Sequence, residues 1–181
     1  MNKILKLALI LFLVSAIVAG VLGGVYVLTE PNITAYAQQK QLDAFAAVTD
    51  AELDLDAAVA PDDATYEGGK ITSVVPAKDG SVYVVQAEVS GSQGTITLAV
   101  GVDKASLTCT GISIISSSET SGLGAEASKD YFRDRFPGKD ANTVLIEKEG
   151  GEVVAITGAT ITSKAVTHSA KAAIEYVATL G

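Results

Sequence analysis

The sequence predicts an α+β fold, in which an N-terminal transmembrane helix is followed by an antiparallel sheet with helices packed on it. Three observations support this prediction. Leu7 to Leu28 is an uncharged, mainly apolar run of 22 residues. Four strand-like segments with short connections follow between residues 71 and 116, which is typical of an antiparallel meander. From Ile161 to Leu180 the apolar residues recur at helical spacing and share one face.

The apolar run is long enough to cross a bilayer. A helix over it covers roughly 33 Å, against about 30 Å for the hydrocarbon core. The alternative is a cleaved signal peptide, with Lys3 and Lys6 as its basic region and cleavage after Ala35-Tyr36-Ala37. The run exceeds the usual apolar region of about 7–15 residues, which favours a retained anchor. Because flanking basic residues stay cytoplasmic, we expect a single-pass protein of the cell (inner) membrane with a cytoplasmic N-terminus.

Composition excludes several classes of function. Of the 13 basic residues, Lys3 and Lys6 precede the span, so residues 30–181 hold 11 basic and 21 acidic side chains, a net charge of −10. Nucleic acid is therefore not expected as a partner, since phosphate binding needs clustered Lys and Arg. Cys109 is the only cysteine, which excludes an internal disulfide and a cysteine-built metal or iron–sulfur site. Its apolar surroundings predict a buried side chain.

The pattern divides the chain into three parts. Residues 1–29 are the transmembrane anchor, residues 30–68 a stalk helix and connector, and residues 69–181 an extracytoplasmic domain. Apolar residues at helical spacing between residues 35 and 49 predict that a helix continues beyond the anchor. The acidic, alanine-rich stretch 50–63 indicates a loosely ordered connector.

Local patterns assign the elements of the third part. The predicted strands are Ile71–Pro76, Ser81–Ser90, Thr95–Val102 and Ser106–Ser116, with a hairpin turn at Gly91–Gly94. A helix is predicted over Ala125–Phe136, stopped by Pro137-Gly138. We expect Val144–Glu147 and Glu152–Ile156 to pair as a hairpin before the last helix.

Two loops could carry chemistry. In the first, Thr157 to Ser163, free N–H groups at a helix start would attract an anion, and Gly158 would let a phosphate come near. Thr and Ser are also preferred N-caps, so ordinary helix capping explains the same pattern. In the second, Ser118 to Gly124, two glycines around Leu123 permit close approach to a planar ligand, but such glycines also occur in ordinary tight turns. The residue types alone leave both interpretations open.

Few other side chains suggest chemistry. Tyr131, Phe132 and Phe136 could stack on a ring, although aromatic residues of a helix more often belong to the core. His168 is expected to be a surface or hydrogen-bonded residue rather than a catalytic one. The sequence contains no Ser-His-Asp arrangement, no paired catalytic carboxylates and no metal-ligand spacing.

Together the two loops resemble one family. Glu119-Thr-Ser-Gly-Leu-Gly124, an aromatic-bearing helix and Thr157-Gly-Ala-Thr-Ile-Thr-Ser-Lys-Ala-Val166 follow one another as in the FMN-binding domain of Rnf-type G subunits. The same domain occurs in the C subunit of Na⁺-translocating NADH:quinone reductases. The resemblance covers roughly residues 69–181, and the apolar run agrees with the family's single N-terminal anchor.

The resemblance implies a covalently bound FMN. In the family, a dedicated flavin transferase joins the FMN phosphate by a phosphoester bond to the last Thr of the S/T-G-A-T motif, which is Thr160 here. The implied cofactor-binding residues are Glu119, Thr120, Ser121, Gly122, Leu123, Gly124, Thr157, Gly158, Ala159, Thr160, Thr162 and Ser163. Three positions depart from the family pattern, since Ser121 replaces the usual Pro, Ser117 the usual His and Val154 the usual Asp of the recognition motif.

The implied function is that of an electron carrier in a membrane complex that couples ferredoxin:NAD⁺ electron transfer to ion translocation. Its partners would be the other membrane subunits of the complex and, during maturation, the flavin transferase. Two alternatives remain. One is the C subunit of the quinone reductase, whose members tend to be longer. The other is a tethered assembly domain without a cofactor, in which both loops are ordinary turns.

Overall fold

The computed structural model describes residues 3–62 and 64–180. It contains three α-helices and one five-stranded sheet in these described ranges. The helices are α1 (Lys3–Ala46), α2 (Asp130–Arg133) and α3 (Thr160–Thr179), and the strands are β1 (Thr65–Tyr66), β2 (Gly69–Pro76), β3 (Val82–Ser90), β4 (Thr95–Asp103) and β5 (Thr108–Ser117). Short 3₁₀ turns lie at Leu55–Ala57, Gly124–Ser128 and Glu147–Glu149. The chain forms two compact units, residues 1–40 and residues 41–181.

The first unit is formed by most of helix α1. The most apolar 18-residue window of this helix has a mean hydropathy of 2.7 and none of it is buried. Length and composition therefore make it a candidate membrane span, and a signal sequence would pass the same test. The helix continues past the apolar run to Ala46, as the sequence predicts.

The second unit is built on an antiparallel meander with the strand order β1-β2-β3-β4-β5. The four predicted strands are confirmed, and the two-residue β1 is an addition that is too short for periodicity to indicate. A register shift between Ile71 and Ser73 interrupts the regular pairing of β2.

Apolar residues cover both faces of the sheet, which explains the nearly continuous burial along β3 and β4. On one face α3 packs its buried stripe, which includes Val166, Ala170, Ala173 and Val177. On the other face Ala44, Phe45 and Val48 pack against Val75, Val84 and Ala99. Because α3 packs on the sheet, the sheet fixes the position of the first turn of this helix.

The predicted helix Ala125–Phe136 is wrong in extent. The structure has a 3₁₀ turn at Gly124–Ser128 and one α-helical turn, α2, separated by Lys129 in an extended conformation. The Ser128 hydroxyl donates to the Ala125 carbonyl, a local bond that competes with helix propagation. Phe132 and Phe136 are fully buried and meet edge-to-face at 5.3 Å between ring centroids, so they belong to the core.

The predicted hairpin of Val144–Glu147 with Glu152–Ile156 is also wrong. Only one isolated bridge joins the two segments in the described ranges, between Ile146 and Val153, and the 3₁₀ turn at Glu147–Glu149 lies between them. Val144, Ile146, Val153 and Ile156 are buried. Their apolar pattern reflects packing of an irregular loop against the core and not a strand ladder.

Two further expectations concern single segments. The stretch 50–62 is not loose, because Leu53 and Val59 form bridges to Ala77 and Val74 at β2. Cys109 is buried as predicted, and this burial raises the pKa of its thiol to about 12. The thiol is therefore protonated and unreactive in the folded protein.

We predict that Gly101→Ala lowers the stability of the second unit by about 1–3 kcal/mol, because overpacking forces the backbone to move. A Cβ at Gly101 would lie 2.6 Å from the carbonyl oxygen of Val48, which cannot retreat as a side chain could. Its cross-strand partner Gly111 supplies a matched control, since a Cβ there would lie 3.5 Å from its nearest neighbour. Thermal unfolding of the full chain in detergent should show a lower midpoint for Gly101→Ala than for Gly111→Ala. Equal midpoints would contradict the packing described here.

Candidate functional site

A surface pocket of about 270 Å³ lies where three segments meet. The segments are the β3–β4 loop, the loop after β5 and the start of α3. The lining residues are Ser92, Gln93, Glu119, Thr120, Leu123, Gly124, Gly158, Ala159, Thr160, Ile161 and Thr162. The two loops that the sequence singles out are therefore neighbours in the fold.

The carboxylate of Glu119 connects all three segments. Its Oε1 accepts a hydrogen bond of 2.9 Å from the backbone N–H of Gln93 in the β3–β4 loop, and its Oε2 accepts one from the Thr162 hydroxyl in α3. Burial acts to raise the pKa of Glu119, but hydrogen bonds from the Gln93 amide, the Thr162 hydroxyl and the neighbouring loop amides outweigh it. The pKa lies below its usual value, so the carboxylate is ionised at neutral pH.

Three glycines make room for this carboxylate and its loop. A Cβ at Gly91 would lie 3.0 Å from the Glu119 carboxyl carbon, and one at Gly124 would lie 2.8 Å from the Thr162 hydroxyl oxygen. A Cβ at Gly94 would lie 2.8 Å from the Cβ of Ser118. All three distances are tighter than ordinary Cβ contacts, so larger residues would push the segments apart.

The start of α3 is not capped by a hydroxyl at the N-cap position. The N-cap residue is Ala159, and no side chain caps the helix there. Within the described ranges, the backbone N–H groups of Thr160, Ile161 and Thr162 have no backbone acceptor. Gly158 has a φ of +78°, a conformation that favours glycine, and it turns the chain into the helix. The helix start therefore offers free N–H donors at the pocket.

The four hydroxyls of this junction differ in their surroundings. Thr162 is fully buried and donates to Glu119. Ser163 is fully buried, accepts from the Ile156 amide and donates to the Ala159 carbonyl, both at 2.9 Å. Thr157 is exposed and lies outside the pocket lining. Thr160 is half-buried, lines the pocket, and its hydroxyl forms no hydrogen bond with the described residues.

Two further predicted site residues, and two other side chains considered from the sequence, do not line the pocket. Ser121 and Gly122 are exposed and do not line the pocket. Tyr131 is also exposed, and its ring lies 5.4 Å from the Arg135 guanidinium. His168 is hydrogen-bonded as expected, with its Nε2 at 2.9 Å from Glu149 Oε2.

Sequence reasoning missed three lining residues, Ser92, Gln93 and Ile161. Ser92 and Gln93 belong to a loop that looks like an ordinary hairpin turn. The Glu119 contact with the backbone N–H of Gln93, formed across 26 residues of sequence, is one of the tertiary contacts that bring this loop to the site. Ile161 begins the apolar pattern of the last helix, yet its side chain is 62% exposed.

Comparison with known proteins identifies the family. A family model described as FMN-binding domain matches residues 91–175, and one described as RnfG N-terminal region matches residues 1–48. The G subunit of the Na⁺-translocating ferredoxin:NAD⁺ oxidoreductase complex of Acetobacterium woodii is 34% identical over 190 residues, which cover 95% of this chain and 90% of that protein. The chain belongs to this family of G subunits.

Two further relatives agree with this assignment. The G subunit of the ion-translocating oxidoreductase complex of Methanosarcina acetivorans is 29% identical, with 97% of this chain and 95% of that protein covered. The G subunit of the proton-translocating ferredoxin:NAD⁺ oxidoreductase complex of Clostridium ljungdahlii is 47% identical over 100 residues. The latter match spans about half of each protein, 54% in both cases.

A solved structure is also similar. It is the C subunit of the Na⁺-translocating NADH-quinone reductase from Parabacteroides distasonis, at a TM-score of 0.45 and 27% identity, covering 60% of this chain and 62% of that one. Membership of the G-subunit family decides between the two flavin-carrying alternatives in favour of the Rnf type. It also supports a single membrane span in α1, since the relatives belong to ion-translocating complexes and the N-terminal family region includes the apolar run.

The pocket fits one end of an FMN molecule. All of its lining residues fall inside the FMN-binding domain match. The free N–H groups at the start of α3 are suitable donors for a phosphate. A volume of about 270 Å³ is below the range of about 300–1,000 Å³ that encloses a whole ligand of this size. Residues of the pocket can therefore hold the phosphate end, and a larger part of the cofactor would remain outside.

Proposed function

We propose that this chain is the FMN-bearing electron-carrier subunit of a membrane complex that couples ferredoxin:NAD⁺ electron transfer to ion translocation, and that the FMN is joined to Thr160 by a phosphoester bond. One observation carries the proposal for Thr160. Of the four hydroxyls in residues 157–163, that of Thr160 alone both lines the pocket and is without a hydrogen bond to the described residues. It is therefore available to react.

The attachment needs an activated flavin donor. Free FMN in water does not esterify a hydroxyl, so the donor must carry a leaving group on its phosphate, as a flavin dinucleotide does through its pyrophosphate. The new bond joins Thr160 Oγ1 to the flavin-side phosphorus, and the pyrophosphate bond breaks. The nucleoside monophosphate leaves, and the hydroxyl proton is transferred to a base of the flavin transferase.

Charge explains why a covalent bond is useful at this pocket. No Lys or Arg lines the pocket, and Glu119 contributes a negative charge. Residues 30–181 together carry a net charge of −10. Helix N-terminal donors attract an anion by only about 0.3–1 kcal/mol at an exposed site. Non-covalent binding of a phosphate would therefore be weak, whereas the ester prevents loss of the cofactor.

The protein's own residues would then position the cofactor. The start of α3 holds the phosphate end, and Leu123 and Ile161 provide apolar surface at the pocket, being 45% and 62% exposed. Bound FMN supplies the redox chemistry. With FMN held there, the subunit would relay electrons between redox centres of its neighbouring membrane subunits. Glu119 is the one titratable side chain among the residues that line the pocket.

We further propose that residues 69–181 lie outside the cytoplasm. Lys3 and Lys6 precede the span, while Glu30 follows it, and basic flanks remain cytoplasmic. The flavin transferase would meet the domain there. Val154, at the usual Asp position of the recognition motif, is 47% exposed and so accessible to such an enzyme.

We predict that the full chain, co-expressed with its flavin transferase and denatured in detergent, carries flavin fluorescence on its gel band. Thr160→Ala should abolish the fluorescence, because the acceptor oxygen is removed. Thr157→Ala is the matched control and should retain it, since that hydroxyl lies outside the pocket lining. A non-fluorescent wild-type band would instead support the tethered domain without a cofactor, and a fluorescent Thr160→Ala band would move the attachment elsewhere.

Membrane orientation can be tested with the single cysteine. Cys109 is buried, with its pKa raised by that burial, so the native chain should not react with a membrane-impermeant maleimide. Ala58→Cys adds an exposed thiol after the span. We predict that this variant is labelled in intact cells. Labelling only after permeabilisation would place the domain in the cytoplasm and overturn the proposed orientation.

A further inference from the structure

We infer that Glu119 is a positioning residue of the flavin site, which holds the first turn of α3 against the β3–β4 loop and keeps a fixed negative charge in the pocket. The positioning role depends on this protein alone. The effect of the charge on the flavin rests on the proposed function. The two parts are therefore tested separately.

The positioning role follows from the contacts. Thr162 lies two residues after Thr160 in the first turn of α3, and its hydroxyl donates to Glu119 Oε2. This hydrogen bond joins the first turn of α3 to the loop after β5. Through Oε1 the same carboxylate accepts from the Gln93 amide. Loss of the Glu119 side chain would release the turn that carries Thr160 from both loops.

The position of the carboxylate is tightly specified. A Cβ at Gly124 would lie 2.8 Å from the Cβ of Glu119, and a Cβ at Gly91 would lie 3.0 Å from its Cδ. Glu119 is therefore confined between two close backbone approaches. A side chain held in this way is suited to a role in geometry and in fixed charge.

The charge has a consequence for reduction. Adding an electron to a flavin tethered at Thr160 makes the cofactor more negative, and the ionised Glu119, which would lie at its phosphate end, opposes this increase. No Lys or Arg in the pocket lining compensates. Glu119 should therefore lower the reduction potential of the cofactor.

The first experiment measures reduction potential by absorbance titration of the flavinylated full chain. Glu119→Gln removes the charge and keeps a side chain of the same size, so its potential should be more positive than that of the wild type. Thr162→Val removes the hydrogen bond and keeps the charge, so the shift of its potential should be smaller than that of Glu119→Gln.

Glu175→Gln is the control for charge in general. Glu175 lies 15 residues after Thr160 on α3, about 22 Å along the helix and beyond the screening length of about 8 Å. The reduction potential of the Glu175→Gln variant should equal that of the wild type. An unchanged or more negative potential in Glu119→Gln, or an equal rise in all three variants, would overturn the role of the charge.

The second experiment uses hydrogen exchange on the full chain made without the transferase. Glu119→Ala should accelerate exchange of the backbone amides of Gln93 and Ser163 about ten-fold or more, the factor expected for the loss of one hydrogen bond to a charged group, worth about 1.5–3 kcal/mol. Thr162→Val should accelerate only the Ser163 amide. Wild-type exchange in both variants would overturn the positioning role. Because this protein carries no flavin, a failure of the proposed attachment leaves this test intact.

Discussion

The site depends on the hydrogen bonds that the Glu119 carboxylate accepts from Gln93 and Thr162. These bonds join segments that are 26 and 43 residues from Glu119 in the sequence. Each acceptor oxygen is charged, and hydrogen bonds to charged groups contribute about 1.5–3 kcal/mol. The three glycines near the carboxylate leave the space that Glu119, Ser118 and Thr162 occupy.

Packing of helix α3 against the core fixes the position of this site. Its buried stripe packs on the sheet, and Thr162 and Ser163 are fully buried in its first turn. The half-buried Thr160 then stands at the end of a rigid element, next to N–H groups that have no backbone acceptor in the described ranges. A tether placed there has a defined position, while the rest of an attached group can reach beyond the small pocket.

Much of the fold could be predicted from the sequence because periodicity reports burial directly. Apolar residues mark the four long strands and recur at helical spacing along the last helix, because these elements pack against the core. The same signal misleads where buried residues lie in irregular structure. Val144, Ile146, Val153 and Ile156 are apolar because they fill the core, although they form no ladder. Periodicity also overextends the helix after Gly124, because it does not record the local bond of Ser128.

The site was predictable only in part. Both loops could be singled out, but their contact through Glu119, and with it Ser92 and Gln93, is a tertiary property. Hydroxyl capping is sufficient to explain the residue types of 157–163, yet the N-cap is Ala159. The difference between Thr160 and its neighbours is likewise one of burial and hydrogen bonding, which residue type does not reveal.

Attachment of FMN to Thr160 is tested most directly by mass spectrometry of the tryptic peptide Glu149–Lys164, released from the chain after co-expression with the transferase. The peptide contains all four hydroxyls of the junction. We predict that it carries the mass of one FMN less one water, and that fragment ions assign this mass to Thr160. An unmodified peptide, or the same mass on Thr157, Thr162 or Ser163, would contradict it.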